Sequence, residues 1–141
     1  SKEDVLVIDA PHLGVQKLQT NDLVRLIDAE SFEFVGRIDD VINTGGLKIH
    51  PAVLESYFHS NGYVVCVSST ADEVYGEAVV IIVEGVVSEN SVKELLIDLP
   101  RSQQPKFMLS VERLPLLESG KLDRTAVRRL IQESQHRLFP L

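Results

Sequence analysis

Residues 36–51, Gly-Arg-Ile-Asp-Asp-Val-Ile-Asn-Thr-Gly-Gly-Leu-Lys-Ile-His-Pro, constrain the fold more than any other stretch. Asn43-Thr44-Gly45-Gly46 stands between two short apolar runs, Val41-Ile42 and Leu47-Lys48-Ile49. Paired glycines reach positive φ without a steric penalty, so a tight hairpin between two short strands is expected here. Pro51 suits the first turn of a helix, where its missing N–H is not needed. Arg37, Asp39 and Asp40 crowd the front of the stretch. By residue type alone this cluster reads as a solvated charged turn with a local Arg–Asp ion pair. No ordinary hairpin requires it.

The chain before this stretch reads as β. Residues 5–8 form a short apolar strand, 11–14 a turn, 22–28 a second strand and 29–31 a second turn. Phe32-Glu33-Phe34-Val35 alternates as a half-buried strand does. These few strands do not close a core alone. The chain after the hairpin reads as a compact α+β domain. Residues 51–59 are expected to be helical, with Val53, Leu54, Tyr57 and Phe58 on one face. Residues 63–69 and 78–84 read as strands, the second buried on both faces because its apolar run is unbroken. Ser91 with Glu94 forms a possible capping box for a helix ending at Pro100. Residues 107–114 read as a strand and 115–120 as a loop. Asp123 is placed to cap a last helix carrying Leu122, Ala126 and Leu130 at i, i+4, i+8, with Val127 and Ile131 beside them.

Composition limits the function classes. The chain of 141 residues is 44% hydrophobic and 25% charged, which is globular. Its net charge of −7 argues against nucleic-acid binding, which needs a basic face. No run approaches the roughly 20 apolar residues that span a bilayer, and no signal segment opens the chain. The single cysteine, Cys66, lies in the run Val64-Val65-Cys66-Val67 and reads as a core residue of a cytoplasmic protein. The four histidines are scattered without metal-ligand spacing. Lys121 is the most promising candidate for chemistry. It follows Gly120 in a loop ahead of a helix, where a compact charge can be delivered to a phosphate or carboxylate, while by residue type alone an exposed lysine there reads as serving solubility.

Three motifs in order then supply a resemblance that covers nearly the whole chain. Gly36-Arg37-x-Asp39-Asp40-x-Ile42-x-x-Gly45-Gly46-x-Lys48-Ile49-x-Pro51 resembles the linker of the adenylate-forming superfamily. That superfamily comprises acyl-CoA synthetases, peptide-synthetase adenylation domains and luciferases. Thr20-Asn21-Asp22 resembles its Thr-Gly-Asp, with Asn21 in place of glycine, and Ser119-Gly120-Lys121-Leu122-Asp123-Arg124 resembles its Ser-Gly-Lys-x-x-Arg. Asp72, Gly76-Glu77 and Pro105-Lys106 support the alignment. Val53 and Gln103 depart from it.

The resemblance implies residues 1–36 as the β tail of a large AMP-binding domain and 37–141 as the small C-terminal (lid) domain. The hinge is expected at about 37–40, on Asp39. It implies a fragment of an ATP-dependent acid–CoA ligase, inactive alone, since the phosphate loop and acid pocket lie in the rest of the large domain. Lys121 is then catalytic, bridging the substrate carboxylate and the α-phosphate. Asp22 accepts from the ribose hydroxyls of ATP, and Arg37 holds ribose or phosphate. Gly45 and Gly46 line the path of the CoA pantetheine. The cofactors are ATP, CoA and Mg²⁺, the ion held mainly by the large domain. The partners are a small carboxylic acid and that domain. Because no carrier-domain pattern follows residue 141, a CoA ligase is expected over a peptide-synthetase module. The runs 41–49 and 103–105 resemble o-succinylbenzoate–CoA ligases of menaquinone biosynthesis. The alternatives are another fatty- or aromatic-acid ligase, or a non-catalytic βαββαβ ligand-binding module.

Overall fold

An unbroken apolar strand needs cover on both faces, and the computed structural model, which describes residues 3–141, supplies it. The chain divides after Val41 into two units, and Ser1 and Lys2, at the head of the expected 1–36 segment, lie outside the described residues.

The second unit is built on its central strand. Its elements are β4 (Ile42–Thr44), β5 (Leu47–Ile49), α1 (Pro51–Ser60), β6 (Val65–Asp72), β7 (Gly76–Glu84), α2 (Glu89–Leu96), β8 (Phe107–Val111), α3 (Arg124–Glu133) and β9 (Phe139–Pro140). The expected order of hairpin, α, β, β, α, β, α is present, and β9 is an addition. The sheet runs β5-β4-β7-β8-β9, and β6 pairs with β7 alone. β7 and β8 are parallel, and the other pairs are antiparallel. Side chains of β7 alternate between two cores. Ile81 and Val83 join Phe58 of α1, Val92 and Leu96 of α2, and Met108. Val80 and Ile82 join Cys66, Leu109, and Val127 and Ile131 of α3. Each such buried side chain stabilises the fold by about 1.5–3 kcal/mol.

Several expectations for this unit need correction. On α1 the inward stripe is Pro51, Leu54, Glu55 and Phe58, spaced i, i+3, i+4, i+7, while Val53 is half exposed. The carboxylate of Glu55 takes the place assumed for valine, because the guanidinium of Arg124, itself only partly buried, pairs with it. On α2 the helix begins at Glu89 after Ser88, so Ser91 lies inside it and caps nothing. Val92 and Leu96 must both face the core, and that sets the start one turn earlier. The strand expected at 107–114 ends at Val111, although Leu114 beyond it is buried.

The first unit is a three-stranded antiparallel meander of β1 (Glu3–Ala10), β2 (Val15–Leu26) and β3 (Phe32–Arg37). Arg25 bridges Glu3 at 3.4 Å and Glu33 at 3.3 Å across the three strands. The adjacent cross-strand positions carry Leu26 opposite Phe32 and Val24 opposite Phe34. Leu26, Phe32 and Phe34 remain at least half exposed, so the sheet has a charged side and an open apolar side. β2 starts well before the expected residue 22, because pairing with β1 extends it. Asn21 therefore sits within a strand, and Lys17 is the non-glycine residue with positive φ among those described. Asn21, which stands where the resembling motif has glycine, therefore meets no positive-φ demand.

Candidate functional site

In the first unit, Asp22 of β2 stands directly across from Arg37 of β3. Arg37 Nη1 lies 3.6 Å from Asp22 Oδ1, with both side chains partly open to solvent. Arg37 thus takes a long-range partner across the strands, which the reading of the Arg37–Asp40 cluster as a local turn did not include. Thr20 ties this end of the strand. Its hydroxyl donates to the Leu6 carbonyl at 2.7 Å and accepts from the Asp22 N–H at 3.2 Å. The arrangement offers carboxylate acceptors and a planar cationic fork side by side, a pattern suited to hydroxyl and phosphate oxygens. Asp39 is exposed, in a 3-10 turn (Ile38–Asp40) two residues ahead of the division between the units.

In the second unit, Gly45 (φ +57°) and Gly46 (φ +84°) make a two-residue turn joining the paired Thr44 and Leu47. Positive φ at both central positions matches the twist of the flanking strands. The turn is clasped by the β6–β7 connection. The Gly45 N–H donates to the Tyr75 carbonyl at 2.9 Å, and a Cβ on Gly45 would lie 3.0 Å from Tyr75 Cδ1. Glu77 accepts from the Asn43 N–H and from the Ser69 hydroxyl, each at 2.8 Å. Asp72 accepts from the Tyr75 and Val74 N–H groups, both at 2.9 Å. Those bonds hold the Asp72 carboxyl below its ordinary value, and nearby Lys106 adds to the effect. Asp72 and Gly76-Glu77, read from sequence as alignment markers, thus fix the hairpin. Beside the turn lies a groove of about 620 Å³ lined by Thr44, Gly45, Tyr75, Arg101, Gln104 and Lys106, among others. Lys106 Nζ sits 3.7 Å from the centre of the Tyr75 ring. Lys48 is exposed on β5.

Lys121 is on a different loop and does not line that groove. Its loop is short and heavily bonded. The Leu117 N–H donates to the Lys121 carbonyl at 2.7 Å, Gly120 N–H to Leu117 at 2.9 Å, and Asp123 N–H to Pro115 at 3.0 Å. Gly120 has φ +86°, a value that glycine accepts freely. Asp123 caps α3 as expected, accepting from the Ala126 N–H at 3.0 Å. Lys121 itself is exposed, and its amino group makes no ion pair or hydrogen bond among the described residues. The backbone is held while the cation stays available.

Two residues that sequence reasoning passed over complete the picture. Arg124, at the first turn of α3, makes a bidentate pair with Glu55 of α1: Nη2 to Oε1 at 2.7 Å and Nη1 to Oε2 at 3.0 Å. In the sequence Arg124 stands out only as the end of a motif, and Glu55 is one charge on an apolar helix. The signal available is the place of Glu55 at i+4 from Pro51 and i+1 from Leu54, on the inward stripe. Among the described residues no group of three or more His, Cys, Asp or Glu could hold a metal ion. No helix among them is long and apolar enough to cross a membrane. Cys66 is buried and carries no disulfide.

No protein-family model matches the chain. It is 31% identical over 126 residues to one of the plipastatin synthase polypeptides of Bacillus subtilis, spanning 89% of this chain and 5% of that one. It is 32% identical over 126 residues to a medium/long-chain-fatty-acid–CoA ligase of Mycobacterium tuberculosis, spanning 79% of this chain and 22% of the ligase. Among solved structures, the o-succinylbenzoate CoA synthetase of Bacillus subtilis in complex with its acyl-adenylate intermediate superposes with a TM-score of 0.76 at 24% identity. That match spans 90% of this chain and 30% of that one. The chain thus spans a small part of the length of its relatives. Its relatives and structural neighbours are adenylate-forming synthetases, and its α+β fold is that of the C-terminal domain of those enzymes.

Proposed function

We propose that this chain is the C-terminal part of an ATP-dependent acid–CoA ligase, with Lys121 as the catalytic cation of its adenylation step. The observation that carries the reading is the Lys121 loop: a backbone pinned by three hydrogen bonds presents a lysine with no partner of its own among the described residues. In the reaction a carboxylate oxygen attacks the α-phosphorus of ATP, forming the acyl-adenylate and releasing pyrophosphate. Both reactants are anionic. A cation between them reduces the repulsion and stabilises the charge that develops. Asp22 and Arg37, already adjacent, are assigned to the ribose and phosphate oxygens of the nucleotide. Residues 37–40 are assigned to the hinge, with Asp39 absorbing the backbone rotation. The open apolar side of the first unit supports its assignment, over residues 1–36, to a larger AMP-binding domain.

In the second step the CoA thiol attacks the acyl-adenylate carbonyl, and AMP leaves. Gly45 and Gly46 are assigned to the pantetheine path, where absent side chains permit close approach. The adjoining groove and its cations, Arg101 and Lys106, support that assignment. Mg²⁺ would shield phosphate charge when bound, and the ion is assigned mainly to the large domain, as the resemblance implies. A cytoplasmic setting goes with the supply of ATP and CoA.

The acid is a separate matter. o-Succinylbenzoate, which would place the enzyme in menaquinone biosynthesis, is the specific candidate, and another fatty- or aromatic-acid ligase fits equally. Likeness to plipastatin synthase adds a second reading, in which the acceptor thiol belongs to a carrier-bound pantetheine. The test uses the full-length protein, with o-succinylbenzoate, decanoate, benzoate and L-phenylalanine as acids. Pyrophosphate release and CoA thioester formation are followed for wild type and Lys121→Ala. Loss of about 10²–10³-fold in adenylation is expected for the variant, in the range of one removed transition-state contact. Thioester formation from supplied acyl-adenylate should persist. If no acid is activated and Lys121→Ala changes nothing, the ligase reading gives way to a non-catalytic binding module.

A further inference from the structure

Charged side chains are seldom buried unless paired, and Glu55 is buried against the partly buried Arg124 at a place that concerns Lys121. Glu55 is 6% exposed. β6 pairs on one side only, so its outer edge leaves backbone groups without a strand partner. At Val67 the ion pair fills that gap. The Val67 N–H donates to Glu55 Oε2 at 2.8 Å, and Arg124 Nη1 donates to the Val67 carbonyl at 3.4 Å. The pair therefore passes around the sheet edge and ties α1, packed with one core, to the start of α3, packed with the other.

Arg124 is three residues beyond Lys121. Between them, Asp123 is bonded to Pro115 and to Ala126, and Leu122 bridges to Leu116. The residue that follows this restrained loop is Arg124, whose guanidinium is anchored on Glu55 and on the Val67 carbonyl. A planar fork bonded twice to a carboxylate fixes orientation as well as distance. We infer that Glu55 and Arg124 are positioning residues for Lys121, setting the place of its loop against the sheet so that the amino group reaches the reacting phosphate. The inference rests on the role proposed above for Lys121.

The experiment again uses the full-length protein, with Glu55→Gln and Arg124→Lys, each alone and combined with Lys121→Ala. Pyrophosphate release is measured with whichever of the four named acids wild type turns over fastest. CoA thioester formation is measured from that acid's synthetic adenylate. Amide hydrogen exchange across residues 115–123 is measured without ligands. Glu55→Gln is expected to lower kcat for pyrophosphate release by up to about 10²-fold, the effect of a displacement near 1 Å. KM for ATP and turnover of supplied adenylate should hold. The amides of Leu117, Gly120 and Asp123 should exchange faster. In the Lys121→Ala background Glu55→Gln should cause no further loss, since a group acting through the lysine has nothing left to act on. Arg124→Lys keeps the charge without the fork and should move the same quantities in the same direction, which keeps the test open if Glu55→Gln does not fold. Equal losses in both half-reactions, effects that multiply with Lys121→Ala, or unchanged exchange in the loop would each overturn the inference. If Lys121→Ala abolishes adenylation while Glu55→Gln does not touch it, the inference alone fails. If Lys121→Ala leaves adenylation intact, the role of Lys121 fails and the inference with it.

Discussion

Replacing Gly45 by alanine, with Gly46→Ala as its control, tests how the hairpin is held and what it is for. Both positions lie in the left-handed region, at φ +57° and +84°. An L side chain there costs about 1–2 kcal/mol. The surroundings differ. A Cβ on Gly46 meets nothing within 4 Å, whereas one on Gly45 meets Tyr75 Cδ1 at 3.0 Å. That is well inside the roughly 3.5–4.0 Å optimum for carbon atoms. Tyr75 is 47% exposed, so its ring has room to swing away. In doing so it leaves the Lys106 cation, a contact worth about 0.5–1 kcal/mol at an exposed site. Gly45→Ala should therefore cost about 0.5–1 kcal/mol more than Gly46→Ala. At about 4–8 °C per kcal/mol for a unit of this size, the two variants should differ by several degrees in Tm. Thermal unfolding of both variants measures this directly. In the full-length protein, Gly45→Ala should slow thioester formation from supplied acyl-adenylate and leave pyrophosphate release unchanged. Equal Tm losses would refute the clasp by Tyr75. A loss confined to pyrophosphate release would refute the pantetheine assignment.

Three further outcomes follow from the geometry. Phe58→Ala, at a site fully buried on α1, should destabilise by about 3–5 kcal/mol, while Val53→Ala on the exposed side should stay within about 0.5 kcal/mol. Urea unfolding of the two variants decides which face of α1 is inward. Asp123→Ala removes the cap on α3 and should cost about 1 kcal/mol, read as a lower urea midpoint at an unchanged slope. The Asp72 carboxyl titrates below its ordinary 3.8, so its stabilisation of the β6–β7 turn is present above that value and is lost as the pH falls below it. An NMR titration should show the Val74 and Tyr75 amide signals moving with a midpoint under 3.8.

Residue type and spacing alone determined the local pieces of this protein. Adjacent glycines specify the Gly45-Gly46 turn because other residues meet a steric penalty there. An apolar run without a polar break specifies the twice-covered β7, and Asp123 ahead of a periodic segment specifies a cap. The roles proposed for Lys121, Asp22 and Arg37 come from a resemblance alone, since a lone exposed lysine or a turn aspartate has many ordinary explanations. Tertiary structure decided the rest. It set Asp22 across from Arg37, which depends on strand register, and it drew out β2 so that Asn21 lies within a strand. It also turned Glu55 inward to meet Arg124, 69 residues away. Sequence periodicity treats a charge as outward by default. Only the folded sheet shows which edge group lacks a partner and which distant cation makes burying the carboxylate tolerable.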